Sequence, residues 1–300
     1  MYRFTIPWRS LFKYAFIGLI YLAMAPVLYS QTPDVFRAEY MLMPKNSLGF
    51  ETVRYKLALN VPIAVRGKKD YLVLGGEYNR FDFELPTTLV PNTTELENFH
   101  VADINLAYVY QWNEKWRIIG VVTPRWSSNF TSGSQQEDLV VNATAGALSQ
   151  RKDLDRPFTL VLGLAYNATS PVRVPLPVVY YEKRFHPHWA YILGVPKSGF
   201  KYITAKGHFF QTELFVDGYY VNVQNDILLA NNVLSTDASS AALLWTIGYQ
   251  YKFTKAASVY LMGGHTVFQN AVLRDADRND IFTLNNGPGL YFRTGFRIGI

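Results

Sequence analysis

Alternation of apolar and polar side chains runs through most of the chain, and it limits the folds that the chain can adopt. In the last eleven residues one parity is apolar and the other is basic or small: Leu290, Phe292, Thr294, Phe296, Ile298 and Ile300 against Tyr291, Arg293, Gly295, Arg297 and Gly299. Because successive side chains of a strand point to opposite faces, this pattern predicts a strand with two unlike faces. Helical spacing would mix Arg293 and Arg297 with Phe296 on one side, so the pattern excludes a helix here.

The same alternation recurs in runs that begin near Val53, Ala102, Leu160, Phe210 and Leu243. Runs of about 10–13 residues exceed the usual soluble strand of ~5–6 and match the ~9–11 that cross a bilayer at a tilt. Alternation also explains why mean hydropathy is near zero although 49% of the residues are hydrophobic.

Composition excludes several other classes of protein. The chain is 16% aromatic and only 17% charged, which is unlike an intrinsically disordered protein. It contains no cysteine, so disulfide scaffolds, cysteine-ligated zinc sites and thiol catalysis are excluded. Only one long apolar stretch is present, at the N-terminus, so a polytopic helical membrane protein is excluded as well.

Residues 1–30 have the organisation of a secretory signal peptide. Basic Arg3, Arg9 and Lys13 precede an apolar stretch from Tyr14 to Leu28. We expect cleavage after Ser30, with an uncleaved anchor helix as the alternative. The segment holds three basic and no acidic residues, so its removal lowers the formal charge from +6 to +3. Such a small excess gives no reason to expect nucleic-acid binding.

Connections of alternating length indicate a barrel and its orientation. Short turns are expected at 113–115, 186–188, 206–208 and 254–256, and long polar loops at 84–99, 129–137, 225–240 and 269–288. Short periplasmic turns and long extracellular loops are typical of outer-membrane barrels. We therefore predict an all-β fold: residues 31–300 form a single transmembrane antiparallel β-barrel of the outer-membrane type. Counting gives fourteen strands, with twelve as the alternative because the strands between 175 and 205 are weak.

Aromatic residues beside the short turns favour the same orientation, because tyrosine and tryptophan concentrate where the apolar core of a membrane meets the headgroups. The expected periplasmic girdle comprises Trp112, Trp116, Phe185, Trp189, Phe209, Phe210 and Phe253.

The C-terminal strand, Tyr291 to Ile300, resembles the signal that the barrel-assembly machinery reads in bacterial outer-membrane barrels, although it ends on Ile300 where the usual residue is Phe. The proline-punctuated stretch from Val174 to Tyr181, followed by Trp189 and Val195-Pro196, is similar to an uncharacterised barrel family, domain of unknown function family 6268. The resemblance implies the fold and carries no activity with it.

Inward parity assigns a set of charged residues to the lumen: Arg54, Lys56, Glu77, Asp103, Arg117, Arg125, Glu213, Asp217, Lys252, Arg293 and Arg297. Arg37 and Glu39 share this parity. Buried charges must be paired or hydrated. One interpretation is an ion-pair network that fills the barrel; the other is a hydrated pore whose basic excess favours small anions. We favour the pore, because a barrel of twelve or fourteen strands is expected to be wider than side chains fill.

Histidines give little support for catalysis. His186, His188 and His208 lie in expected turns, and His265 is expected on the lumen face without a serine or acid partner. His100 could join Asp275 or Asp277 at the outer rim, but parity separates His100 from Asp103. The loop from Asp275 to Asp280 alternates oxygen ligands like a calcium loop, yet Asp280 stands where that loop needs glycine. We expect no catalytic, cofactor or metal site.

The sequence therefore predicts a barrel of the outer membrane that passes or binds small polar solutes through a mildly basic lumen. The alternatives are a structural or surface-interaction barrel with a side-chain-filled lumen and, more weakly, a lipid or peptide hydrolase. Expected partners are outer-membrane lipid, the barrel-assembly machinery through the C-terminal strand, and a small polar or anionic solute.

Overall fold

The structure is a computed structural model, and it describes residues 34–86, 94–168, 174–204, 206–230 and 232–299. The expected signal peptide and its cleavage site lie outside the described residues. Among the described residues, no helix is long and apolar enough to span a bilayer.

The described chain consists almost entirely of β-strands, joined by turns and two short 3-10 turns, Arg66–Lys68 and Thr94–Leu96. The strands are β1 (Asp34–Met43), β2 (Glu51–Val65), β3 (Asp70–Glu84), β4 (Asn98–Gln111), β5 (Trp116–Ser128), β6 (Leu139–Arg151), β7 (Phe158–Tyr166), β8 (Leu176–His186), β9 (Trp189–Val195), β10 (Lys197–Ile203), β11 (His208–Leu228), β12 (Leu234–Lys252), β13 (Ala257–Arg274), β14 (Asp280–Asn285) and β15 (Leu290–Gly299).

From β1 to β13 each strand pairs with its neighbours in the chain, and the sheet closes on itself through β15. β1 pairs with both β2 and β15, and β13 pairs with both β12 and β15, all antiparallel. β14 only extends one edge of β13, so fourteen strands form the closed wall. The predicted all-β barrel is confirmed, with fourteen strands rather than twelve: the weak region between 175 and 205 does form β8, β9 and β10.

The alternation seen in the sequence separates the two faces of the wall. On β2, Leu57 and Leu59 face outward and are 50% and 51% exposed, whereas Arg54 faces inward and is 6% exposed. Leu290 and Phe292 of β15 likewise face outward at 52% and 41% exposed, while Tyr291 between them is fully buried. An apolar belt of this extent around a closed barrel is the surface that a bilayer covers.

We name the two ends of the barrel, periplasmic and extracellular, by the orientation that the sequence predicts. Strands at the extracellular end extend further than the sequence predicted. The expected loop at 225–240 shrinks to five residues, because β11 continues to Leu228 and β12 begins at Leu234. The expected loop at 269–288 is partly strand, since β13 continues to Arg274 and β14 follows. Both extensions carry apolar side chains that pack inside the barrel, which stabilises them as strands. They include Val221, Val223, Ala271 and Leu273.

One sector of the wall is shorter along the barrel axis than the rest. β9 and β10 have seven residues each, and a strand of that length at a ~40° tilt rises only about 18 Å, less than the ~25 Å apolar band of such barrels. β10 pairs with β11 only as far as Phe215. Above that point β11 turns to β5 instead, through a parallel pairing of Asn222 with Ser128.

We refer to this junction as the β5–β11 seam. Side chains, rather than a continuous ladder, satisfy the edge of β11 there. Gly218 N donates to Asp217 Oδ1 at 2.9 Å, Ser127 Oγ donates to Tyr220 O at 2.6 Å, and Gln224 N donates to Asn129 Oδ1 at 3.1 Å. Asp138, 1% exposed, accepts hydrogen bonds from Asn222 Nδ2 and Gln224 Nε2 at 2.9 and 2.8 Å. The hydrogen-bonding groups of this edge are therefore satisfied although β5 pairs with it at only one position, Asn222 with Ser128.

Above the seam, β2–β4 face β11–β14 across an apolar interior that we name the upper core. Its buried members are Phe50, Phe81, Phe83, Leu96, Phe99, Val101, Tyr219, Val221, Val223, Ile227, Leu229, Ala238, Ala271, Leu273 and Leu284. Four of its rings stack within 6.1 Å between centroids: Phe81, Phe83, Phe99 and Tyr219. The extracellular half of the lumen is thus packed like the interior of a soluble protein.

Candidate solute site in the lumen

The inward side chains of β11 mark three layers of the lumen. From the periplasmic end upward they are Phe209, Gln211, Glu213, Phe215, Asp217, Tyr219, Val221 and Val223. Phe209 lies in an open cavity, Glu213 and Asp217 lie among ion pairs, and the residues from Tyr219 onward lie in the upper core. The lumen therefore changes from open and basic to charged and packed, and then to apolar.

The middle layer contains a group of four charged residues, the central ion cluster: Glu39, Arg54, Asp217 and Arg293. Arg54 Nη1 lies 2.8 Å from Asp217 Oδ1, and Arg54 Nη2 lies 3.2 Å from Glu39 Oε1. Arg293 Nε lies 4.0 Å from Glu39 Oε2, which also accepts a hydrogen bond from the Tyr260 hydroxyl. Arg54 brings β2 into contact with β11, so this cluster ties strands together across the lumen.

Other ion pairs surround the cluster. Arg125 binds Asp103 through two hydrogen bonds of 2.7 Å each, Lys56 binds Glu77 at 2.5 Å, and Lys197 pairs with Glu213. The carboxylates of this layer are thus neutralised by neighbouring cations. A void of about 30 Å³ above Arg54 and Asp217 is large enough to hold water.

The periplasmic end is different, because the lumen widens there into a cavity of about 320 Å³ that we name the periplasmic vestibule. Its lining comes from the periplasmic ends of ten strands and carries six basic residues and two acidic ones. The basic residues are Lys152, Arg184, Lys201, Lys252, Lys255 and Arg297, and the acidic ones are Asp34 and Glu182.

The acidic groups of the vestibule are already paired. Glu182 lies 3.2 Å from Lys201 Nζ, and Asp34 pairs with Arg37. Within the described part of the chain, no carboxylate lies within ion-pair distance of Lys152, Lys252 or Lys255. The vestibule therefore carries a local excess of positive charge.

Arg297 has a fixed position in this vestibule. Its Nη2 donates to Gln250 Oε1 at 2.9 Å and its Nε donates to Ser258 Oγ at 3.2 Å. Gln250 Nε2 in turn donates to Ser258 Oγ at 3.0 Å. The guanidinium is thereby held against the wall formed by β12, β13 and β15.

The structure divides the residues that parity assigned to the lumen among these layers. Arg54, Lys56, Glu77, Asp103, Arg125, Glu213, Asp217 and Arg293 lie in the ion-paired layer, and Lys252 and Arg297 lie in the vestibule. Arg117 has inward parity but is exposed at the periplasmic end of β5, apart from both groups. The set therefore forms a packed network and a separate basic mouth rather than one continuous charged pore.

Sequence reasoning missed Lys197, Lys201 and Glu182, because β8, β9 and β10 were too weakly patterned for parity to be assigned. It also placed Phe209 in the outer aromatic girdle, whereas Phe209 faces the vestibule and Phe210 faces outward at 49% exposed. The alternation in the sequence already indicates that Phe209 points inward, since it shares the parity of Gln211 and Glu213.

The histidines are not arranged for catalysis. The prediction that His265 lies on the lumen face is wrong: it has the outward parity of Leu261 and Val267, and its Nδ1 bonds its neighbour's carbonyl, Thr266 O, at 2.8 Å. His100 Nδ1 bonds the Tyr78 hydroxyl at 2.7 Å, away from Asp103, as parity predicted.

The loop from 275 to 280 uses its polar groups internally. Asn279 donates to Asp275 Oδ1 from its backbone at 2.8 Å, and hydrogen bonds from Asn279 lower the pKa of the Asp275 carboxyl. Asp280 pairs with Arg274 at 2.9 Å. Among the described residues, no group of three or more histidines and carboxylates could hold a metal ion.

A family model described as a domain of unknown function (DUF6268) matches residues 43–299, from the end of β1 to the end of β15. The chain belongs to this family. The family resemblance predicted from Val174–Tyr181, Trp189 and Val195-Pro196 is confirmed, and the DUF6268 match covers nearly the whole barrel wall. A search of curated proteins finds no match.

The DUF6268 chain is also similar to solved barrels. A KdgM porin shares 9% identity over 88% of this chain and 98% of its own, with a TM-score of 0.37. The COG4313 outer membrane channel from Pseudomonas putida F1 shares 9% identity over 92% of this chain and 99% of its own, with a TM-score of 0.45. Outer membrane phospholipase A from Escherichia coli shares 11% identity over 94% of this chain and 98% of its own, with a TM-score of 0.31. The similarity is in barrel architecture and identifies no solute.

Proposed function

We propose that this protein is a channel-like barrel of the outer membrane that binds small anionic solutes from the periplasmic side. The observation that supports this is the periplasmic vestibule. It is open and large enough for a small molecule, and no carboxylate of the described chain pairs with three of its lysines, Lys152, Lys252 and Lys255. A cleft lined by one sign of charge raises the local concentration of the opposite sign. We also propose export through the signal peptide and assembly through the last strand.

A second candidate, a structural barrel with a filled lumen, is favoured by the upper core and the central ion cluster, which pack the lumen above the vestibule. The two functions differ in what the vestibule does. A structural barrel needs no specific anion binding at its mouth.

Anion binding is tested with the full barrel in lipid nanodiscs, using the ¹⁹F NMR signal of trifluoroacetate as a small anionic probe. We expect binding that weakens as salt rises, because the lysines of an open mouth are screened. The double variant Lys252→Gln/Arg297→Gln should lose most of it. The matched control is Lys115→Gln, which removes an exposed lysine of the β4–β5 turn outside the vestibule. Equal binding by both variants, or none by the natural protein, would favour the structural barrel.

A further inference from the structure

The wall of the periplasmic vestibule is not uniformly charged. Ala190, Ile203 and Phe209, on the adjacent strands β9, β10 and β11, line one side of it with apolar side chains. Ile203 pairs directly with Phe209, and Ala190 pairs with Lys201 on β10, so the three lie next to one another. An inward-facing phenylalanine at the open mouth of a barrel is unusual, because most inward positions carry polar groups in the barrels that conduct water and ions.

Cations flank the apolar stripe on both sides. Lys201, beside the stripe on β10, is paired with Glu182. On the other side, Gln250 lies opposite Phe209 on β12, and it holds Arg297 at 2.9 Å. Lys252 lies two residues beyond Gln250 on the same face. An apolar surface therefore directly adjoins positive charge.

We propose that the vestibule selects organic anions that carry an apolar or aromatic ring, with the ring against Ile203 and Phe209 and the anionic group toward Arg297 and Lys252. The proposal rests on the proposed function, since it names the class of anion that the same site takes. An inorganic anion would satisfy the cations and leave the stripe in water. A ring-bearing carboxylate satisfies both surfaces, in the way that small-molecule sites combine apolar walls with a few charged groups.

The decisive comparison uses two probes of equal charge, fluoroacetate and 4-fluorophenylacetate, observed by ¹⁹F NMR with the barrel in nanodiscs. Burying one face of a ring is expected to make 4-fluorophenylacetate bind about tenfold more tightly than fluoroacetate. Phe209→Ala should remove most of this difference. Ile203→Asn, which makes the same stripe polar from β10, should do the same if Phe209→Ala does not fold.

Phe210→Ala is the matched control, because Phe210 is the adjacent residue and faces outward. It should leave both affinities unchanged, and nanodiscs without protein correct for partition of the ring into lipid. If both anions bind equally, or if Phe210→Ala and Phe209→Ala act alike, ring selection is wrong while anion binding stands. If neither anion binds, the proposed function fails with it.

Discussion

At the residue scale, Arg54 is the group on which the middle of the barrel most depends. It is 6% exposed and pairs with two carboxylates, Glu39 and Asp217, from two different strands. Its guanidinium also lies 5.7 Å from the centre of the Phe81 ring, at the base of the upper core. It therefore connects the charged layer to the apolar one.

Arg54→Met should destabilise the barrel strongly. The methionine leaves part-buried Asp217 without its cation and buried Glu39 with only the more distant Arg293, 4.0 Å away. Breaking a buried pair in this way costs about 3–5 kcal/mol. The measurement is urea unfolding from lipid vesicles, followed by tryptophan fluorescence. Arg80→Met serves as the control, since Arg80 pairs with Asp82 on the exposed face and such a pair contributes about 0–1 kcal/mol. Similar unfolding midpoints for the two variants would contradict this role.

Single residues also show the limit of parity. Parity placed the charged lumen residues inside, but it does not say which cation meets which anion. The contact of Arg54 with Asp217 joins positions 163 residues apart. Only the closure of the wall brings β2 opposite β11, and no local pattern encodes that distance.

At the scale of elements, the β5–β11 seam is the feature that the sequence did not predict. Alternation predicts that a strand exists and which of its faces is apolar. It does not predict how far the neighbouring strand extends along the barrel axis. Because β9 and β10 are short, the upper part of β11 has no neighbour in chain order and meets β5.

The variant Ser128→Cys/Asn222→Cys tests the seam. Paired residues of adjacent strands lie about 5 Å apart between Cα atoms, within the range that a disulfide spans. The natural chain has no cysteine, so no other thiol competes. We expect nearly complete disulfide formation on mild oxidation, detected by mass spectrometry after thiol labelling. The pair Ser128→Cys/Thr212→Cys, ten residues lower on β11, should remain reduced; its oxidation to the same extent would show that the seam is not a fixed contact.

The upper core was missed for a related reason. Along β3, the inward positions change from Glu77 and Asn79 to Phe81 and Phe83. Parity alone treats these as one lumen-facing series. The change from polar to aromatic along one face is the local signal that the lumen closes at this level.

At the scale of the whole molecule, strand number is a poor guide to the width of the lumen. Fourteen strands are enough for an open channel. Here the upper core and the central ion cluster fill the space above the vestibule. The sequence therefore predicted the strands and the closed wall, while the packing of the interior required the closed structure.

The packed interior predicts low conductance. In planar bilayers the natural protein should pass far less current than an open barrel of its size, because the upper core excludes water. Phe83→Ser/Phe99→Ser should raise the conductance by making that layer polar and smaller, while Phe99→Leu, which keeps it apolar, should not. Heat-modifiable migration on gels confirms that each variant folds. A large, stable conductance in the natural protein would show that the upper core does not close the lumen.

The side-chain hydrogen bonds along the upper edge of β11 also affect whether two copies of this barrel can pair through that edge during membrane insertion. An unpaired strand edge is a template on which another chain can add a strand, and many barrels are inserted close together in the same membrane. In this protein Asp217, Ser127 and Asn129 occupy hydrogen-bonding groups on that edge. A strand of a second copy would have to displace these side chains before it could pair with β11. The edge of β11 beside the short strands is therefore protected against edge-to-edge aggregation.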